Sequence, residues 1–144
     1  MNTQTQVLAD QWAADLADWA LPKEILDQAP EVPWKHSVAM FTVGAEIPDS
    51  ISHQRAREVL EPGGSVLDIG SGGGRASMAI TPPAGTLIAV DHQQEMLDEF
   101  LKAAEARGAI AHAYLGDWPD IADLVPEADV VVCHHVAYNV AQIV

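Results

Sequence analysis

Residues 65–77 read SVLDIGSGGGRAS, and within them Asp68 and the glycines at 70, 72, 73 and 74 carry the densest chemical signal of the chain. β-favouring residues run into a carboxylate, and a nearly bare backbone follows. A turn of this kind gathers backbone N–H groups at the start of the next helix and favours a polar or negatively charged ligand group there. A tight strand-to-helix turn that needs only positive φ accounts for one glycine, not for four after an acid. Two ligands compete. A dinucleotide fingerprint starting at Gly70 needs a glycine at position 75, where the chain has Arg75. Asp68 also repels a pyrophosphate and suits a ligand whose near end carries a cation, such as an ammonium or a sulfonium.

Other residue types offer less. His134, His135 and Tyr138 follow an apolar run, and no catalytic residue is assigned. Adjacent residues on a strand point to opposite faces, so the two histidines do not share one metal ion, and no other cluster has ligand spacing. The expected metal content is none. Cys133, the only cysteine, forms no internal disulfide and reads as a small buried hydrophobe in a reducing, cytoplasmic setting.

The elements that position these residues follow from periodicity. Leu8, Trp12, Leu16 and Trp19 form one stripe of an amphipathic helix that Pro22 stops. PKEILDQAP gives a short helical turn, and EVPW extends. In IPDSISHQRAREVL, Asp49 and Ser50 are candidate N-caps, with Ile51, Arg55 and Val59 at helical spacing. After Pro62-Gly63-Gly64 the grammar becomes strand and helix in alternation. SVLDI, TLIAV, AIAHAYL and ADVVVCH are the strands. RASMAI is a short helix and QQEMLDEFLKAAEA a long one, with Met96, Leu97, Phe100, Leu101 and Ala104 on its inner face. The last strand is apolar throughout, as burial on both faces requires. Alternation of this kind implies a parallel sheet.

The chain has 144 residues, 49% of them hydrophobic, which suits one globular domain and not a disordered segment. Seven basic groups against 21 acidic ones give a net charge of −14 with no basic cluster. That balance leads to the expectation of no nucleic-acid partner and no membrane surface. The N-terminus has no secretory pattern. AYNVAQIV reads as the opening of a helix and then stops, so a missing C-terminal part is expected. The alternative is a minimal domain whose open sheet edge pairs with another chain in a homo-oligomer.

VLDIGSGGG resembles motif I of the class I S-adenosylmethionine-dependent methyltransferases, whose pattern places an acid before spaced glycines, here Asp68, Gly70, Gly72 and Gly74. Asp91 at the end of the second strand, GDW at 116–118 after the third, and polar residues after the fourth continue the resemblance over about residues 50–144. It implies a Rossmann-like α/β fold with strand order 3-2-1-4, helices on both faces and an N-terminal helical cap. Residues 1–60 would be the cap or lid, and 61–144 part of the cofactor domain. The implied cofactor is S-adenosyl-L-methionine. Gly70, Ser71, Gly72 and Gly73 would back its methionine moiety, with Asp68 near the ammonium. Asp91 would accept from the ribose hydroxyls; by its place before the long helix it also suits an N-cap, and the two roles can coexist. His92 would lie against the adenine, Gly116 and Asp117 would meet the adenine amino group, Trp118 would stack nearby, and His134 would border the methionine end. Trp34 is the pocket candidate of the lid, while Trp12 and Trp19 read as core.

The implied activity is methyl transfer to an acceptor expected to be a small molecule. An NAD-dependent oxidoreductase and a non-catalytic cofactor-binding or assembly module remain the alternatives.

Overall fold

In the computed structural model, which describes residues 3–30, 35–47 and 49–142, the chain divides into two compact units. One comprises residues 37–135, and the other residues 1–36 with 136–144.

The larger unit is built on four parallel strands: β1 (Ser65–Ile69), β2 (Thr86–Asp91), β3 (Ile110–Leu115) and β4 (Val130–Cys133). Their order is β3-β2-β1-β4, as expected. Val66 stands opposite Leu87 and Val130, and Asp68 opposite Ala89 and Val132. Alternation puts Val66, Asp68, Leu87 and Ala89 on one face and Leu67, Ile69, Ile88 and Val90 on the other. The apolar members of both sets are buried, which is why these strands read as continuous apolar runs.

Helix α6 (Gln94–Ala106) packs on β2 and β3 and buries Met96, Leu97, Phe100 and Ala104. Leu101, placed on the same face by its spacing, lies at the margin and stays partly exposed. Phe100 is fully buried among Met78, Leu87, Ala89 and Val132 in one apolar cluster. Helix α5 (Arg75–Ala79) follows β1, and α4 (Ile51–Val59) packs near β4.

Ser50 caps α4 by accepting the His53 N–H at 3.2 Å. Ser50→Ala is expected to lower stability by about 1 kcal/mol, read as a shift of the denaturant midpoint. The buried face of α4 differs from the one its spacing suggests. Ala56 and the following Leu60 are buried, whereas Ile51 and Val59 are exposed. A small residue lets the helix sit close, and this outweighs the larger side chains on the far side.

The smaller unit holds α1 (Thr3–Trp19) and α2 (Lys23–Leu26), the latter bracketed by prolines as expected. The stripe on α1 does not form a core. None of its residues is buried, and Trp19 is 87% exposed. A periodic stripe defines which face is able to pack, not that a facing surface exists. Trp12 and Leu16 are half-buried, and the Trp12 Nε1 donates to the Val140 carbonyl at 2.8 Å. The expected helix after the fourth strand is only a short 3-10 turn, Ala137–Asn139.

Among the described residues, β4 pairs with β1 alone. Of its four residues only Val132 is buried, so Cys133 is exposed and not the buried hydrophobe its apolar neighbours suggested. The pocket candidate Trp34 lies outside the described residues. Among the described residues, no helix is long and apolar enough to cross a membrane.

Candidate functional site

Because all four strands run the same way, their C-terminal ends share one edge, where open α/β sheets bind ligands. Asp68 lies near the end of β1 with the glycine loop after it, and Asp91 ends β2 with His92 next. Gly116, Asp117 and Trp118 follow β3, and His134 follows β4.

The loop turns sharply through Gly70, Gly72 and Gly74, at φ of 66°, 51° and 94°. Its N–H groups point inward. Those of Gly70 and Ser71 both donate to the Val90 carbonyl, at 2.8 and 3.0 Å, and that of Gly74 donates to the Ser71 carbonyl at 3.0 Å. The Gly72 N–H donates to Asp91 Oδ2 at 2.9 Å. The expected gathering of donors for a ligand is therefore largely occupied by the protein itself.

The lack of side chains in the loop also has an internal cause. A Cβ on Gly73 would collide with the carbonyl group of Phe41, and one on Gly72 would lie 3.3 Å from the Phe41 Cβ. Phe41 ends α3 (Val38–Phe41), a four-residue helix that rests on the loop.

Asp91 is the hub of this edge. Its Oδ2 holds Gly72, and its Oδ1 accepts the Gln93 N–H at 2.9 Å. Its backbone carbonyl accepts the Gly116 N–H at 3.0 Å. One residue thus links the loop after β1, the start of α6 and the turn after β3. Asp91 is not the helix cap, since that position belongs to Gln93. Each carboxylate oxygen accepts one backbone hydrogen bond and keeps capacity for another. His92 beside it is exposed, as is Asp117; Gly116 and Trp118 are half-buried.

Asp68 is 2% exposed and faces α5, where Ser77 Oγ donates to its Oδ2 at 2.7 Å. Burial pushes its carboxyl up to about 7, against the side-chain and backbone hydrogen bonds from Ser77, and the nearby Asp91 charge adds to the rise. A carboxylate kept this dry attracts a cation strongly and is costly without one.

His134 is half-buried, and its ring lies 5.5 Å from that of His53 on α4. Burial, then the nearby His53 and His135, hold its imidazole below the usual histidine range. His135 adopts a left-handed φ of 60°, so the chain turns away directly after His134. Sequence reasoning missed Phe41, because four residues carry no usable period. It also missed His53, although a Ser50 cap places that histidine in the first turn of α4. Among the described residues, no group of three or more His, Cys, Asp or Glu side chains is arranged to hold a metal.

A profile of the methyltransferase domain matches residues 66–143. No curated protein matches the chain. Among solved structures, the chain is similar to the YcgJ protein of Bacillus subtilis, at 25% identity and a TM-score of 0.48 over 60% of this chain and 37% of that one. It is similar to a dimethyladenosine transferase from Plasmodium falciparum, at 26% identity and a TM-score of 0.49 over 58% and 30%. It is also similar to an rRNA methylase from Streptococcus thermophilus, at 21% identity and a TM-score of 0.48 over 59% and 52%. The chain thus spans between 30% and 52% of the length of these three proteins.

The expected absence of a nucleic-acid partner is corrected by these findings, because an rRNA methylase is among the similar structures. The physical reason is that a net charge of −14 sums over the whole chain, whereas acceptor recognition depends on the local field of a few surfaces.

Proposed function

We propose, from the premise that this chain belongs to the methyltransferase-domain family, that it binds S-adenosylmethionine at the C-terminal edge of its sheet and directs the methyl group to an acceptor. The observation that carries this reading is the Asp91 carboxylate. It ends β2, and each of its oxygens accepts one backbone N–H while keeping a second acceptor position. Two such positions on one rigid carboxylate suit the two neighbouring hydroxyls of a ribose. The occupied N–H groups of the glycine loop favour this ligand over a dinucleotide, whose pyrophosphate needs donors that Val90, Asp91 and Ser71 already hold.

In this reading Gly70, Ser71, Gly72 and Gly73 present backbone to the amino-acid end of the cofactor, and Asp68 is the counter-charge of its ammonium. His92 lies against the adenine, Gly116 and Asp117 meet its amino group, and Trp118 stacks nearby. His134 borders the reacting end. The contact of Phe41 with Gly72 and Gly73 supports a covering role for the segment around α3, part of the cap assigned to residues 1–60. When bound, the cofactor supplies a methyl carbon on a cationic sulfur, a good leaving group. The chain's own part is to orient the partners and keep water away.

Calorimetric titration tests this. S-adenosylhomocysteine is expected to give heat of binding and NAD none; heat from NAD alone would overturn the reading. Asp91→Ala is expected to weaken nucleoside binding by at least about 10- to 100-fold, the loss of one hydrogen bond to a charged acceptor, and by more if both are lost.

A further inference from the structure

Asp49, His53 and His134 form a cluster that the cofactor reading leaves unused. Asp49 and His53 stand at the start of α4, and His134 follows β4. Only 12% of the His53 side chain is exposed, and its Nδ1 is buried without a hydrogen bond. Asp49 Oδ1 lies 3.9 Å from that nitrogen. A ring nitrogen facing a carboxylate carries the proton, since two lone pairs would repel. This leaves Nε2 as the basic nitrogen of His53.

Asp49 is itself held in place. Arg57 Nη2 donates to its Oδ1 and Oδ2 at 2.8 and 2.7 Å, Gln54 Nε2 to Oδ2 at 3.2 Å, and the Ser50 N–H to Oδ1 at 3.1 Å. Arg57 Nη1 in turn donates to the Ala79 carbonyl at 2.7 Å, which ties the group to the end of α5. The His53 and His134 rings are tilted by 42° at a centroid separation of 5.5 Å. Burial, and after it the positive charge that His53 or His135 would carry, disfavours a proton on His134.

We propose that His134 accepts the proton of the methyl acceptor's nucleophile and that His53, whose buried Nδ1 faces Asp49, positions it. This rests on the methyl-transfer reading above. The acceptor class follows: its nucleophile arrives bearing a proton that must leave, as a hydroxyl or an N–H does. The proton goes to an imidazole nitrogen of His134. The electron pair left on the nucleophile forms the new bond to the methyl carbon, and the pair of the broken sulfur–carbon bond stays on sulfur. His134, kept below the usual histidine range, is neutral near pH 7 and so has a free nitrogen for that proton.

The test is nitrogen NMR of the full chain labelled in histidine, with S-adenosylhomocysteine binding measured alongside by calorimetry. At pH 8 the His53 proton is expected on Nδ1, and Asp49→Asn is expected to abolish that preference. His53→Gln is expected to raise the titration midpoint of His134 and to leave that of His112, on β3, unmoved. A His53 proton on Nε2 in the unsubstituted chain overturns the proposal, as does a His134 midpoint indifferent to His53→Gln. Either result alongside S-adenosylhomocysteine binding leaves the methyltransferase reading intact; absence of binding brings down both. The tautomer of the unsubstituted chain needs no variant, so misfolding of a substituted one does not mask the answer.

Discussion

Asp68→Asn is expected to stabilise the ligand-free chain above pH 7 and to lose that advantage in acid. The carboxyl moves from 3.8 when unfolded to about 7 when folded. Between those values the folded chain binds more protons than the unfolded one, so stability falls as pH rises through the interval. The contribution is complete below about pH 4 and gone above pH 7. At roughly 1.4 kcal/mol per pH unit it amounts to about 4 kcal/mol. Asparagine avoids that cost and keeps a partner in Ser77. It also buries an extra amide N–H that needs an acceptor, which costs about 1–3 kcal/mol. The net gain at pH 8 is therefore about 1–3 kcal/mol.

Urea unfolding of both chains at a series of pH values reads this directly. A difference that stays constant with pH would mean that Asp68 ionises as an ordinary carboxyl does. The proposed function adds a second expectation of opposite sign. The same substitution removes the counter-charge of the cofactor's ammonium, so the more stable chain is expected to bind S-adenosylhomocysteine less tightly.

Gly74→Ala is expected to cost about 2–4 kcal/mol of stability, from two sources that can be separated. The backbone there has a φ of 94°, a conformation that any side chain strains. The added Cβ would also lie 2.8 Å from Phe100 Cδ2 and 3.1 Å from Met78 Cε. Phe100 is fully buried in the centre of the core and has little room to yield. Phe100→Leu in the same chain is expected to relieve the steric part and leave the backbone part. A double-mutant cycle by denaturant unfolding measures the split. A strictly additive cycle would show that the contact with α6 does not constrain this glycine.

Much of the larger unit was legible in the sequence, and the reasons are specific. SVLDI matches β1 residue for residue, because a strand buried on both faces shows as an apolar run between turn signals. α6 was legible because thirteen residues repeat their spacing often enough to define a face. The order of the strands came from the family resemblance carried by Asp68, the glycines and Asp91. What failed was whatever depended on a partner surface. The α1 stripe named a face but not a neighbour to cover it. The apolar letters around Cys133 named a strand but not what covers its faces.

The glycine loop was located correctly, yet part of the reason for its bareness was hidden. Phe41 is about thirty positions upstream, and nothing in its own neighbourhood announces where it will rest. The exclusion of a nucleic-acid partner failed for a related reason, since a sum over the chain was made to speak for a local surface.

The double duty of Asp91 reaches into how such chains change over time. The acid that would grip a sugar also laces the loop after β1 to the first turn of α6. A descendant that abandoned turnover would still be penalised for losing it. Persistence of this residue through a lineage therefore records upkeep of architecture as much as chemistry, and a retired enzyme on this frame would still look alive in its sequence.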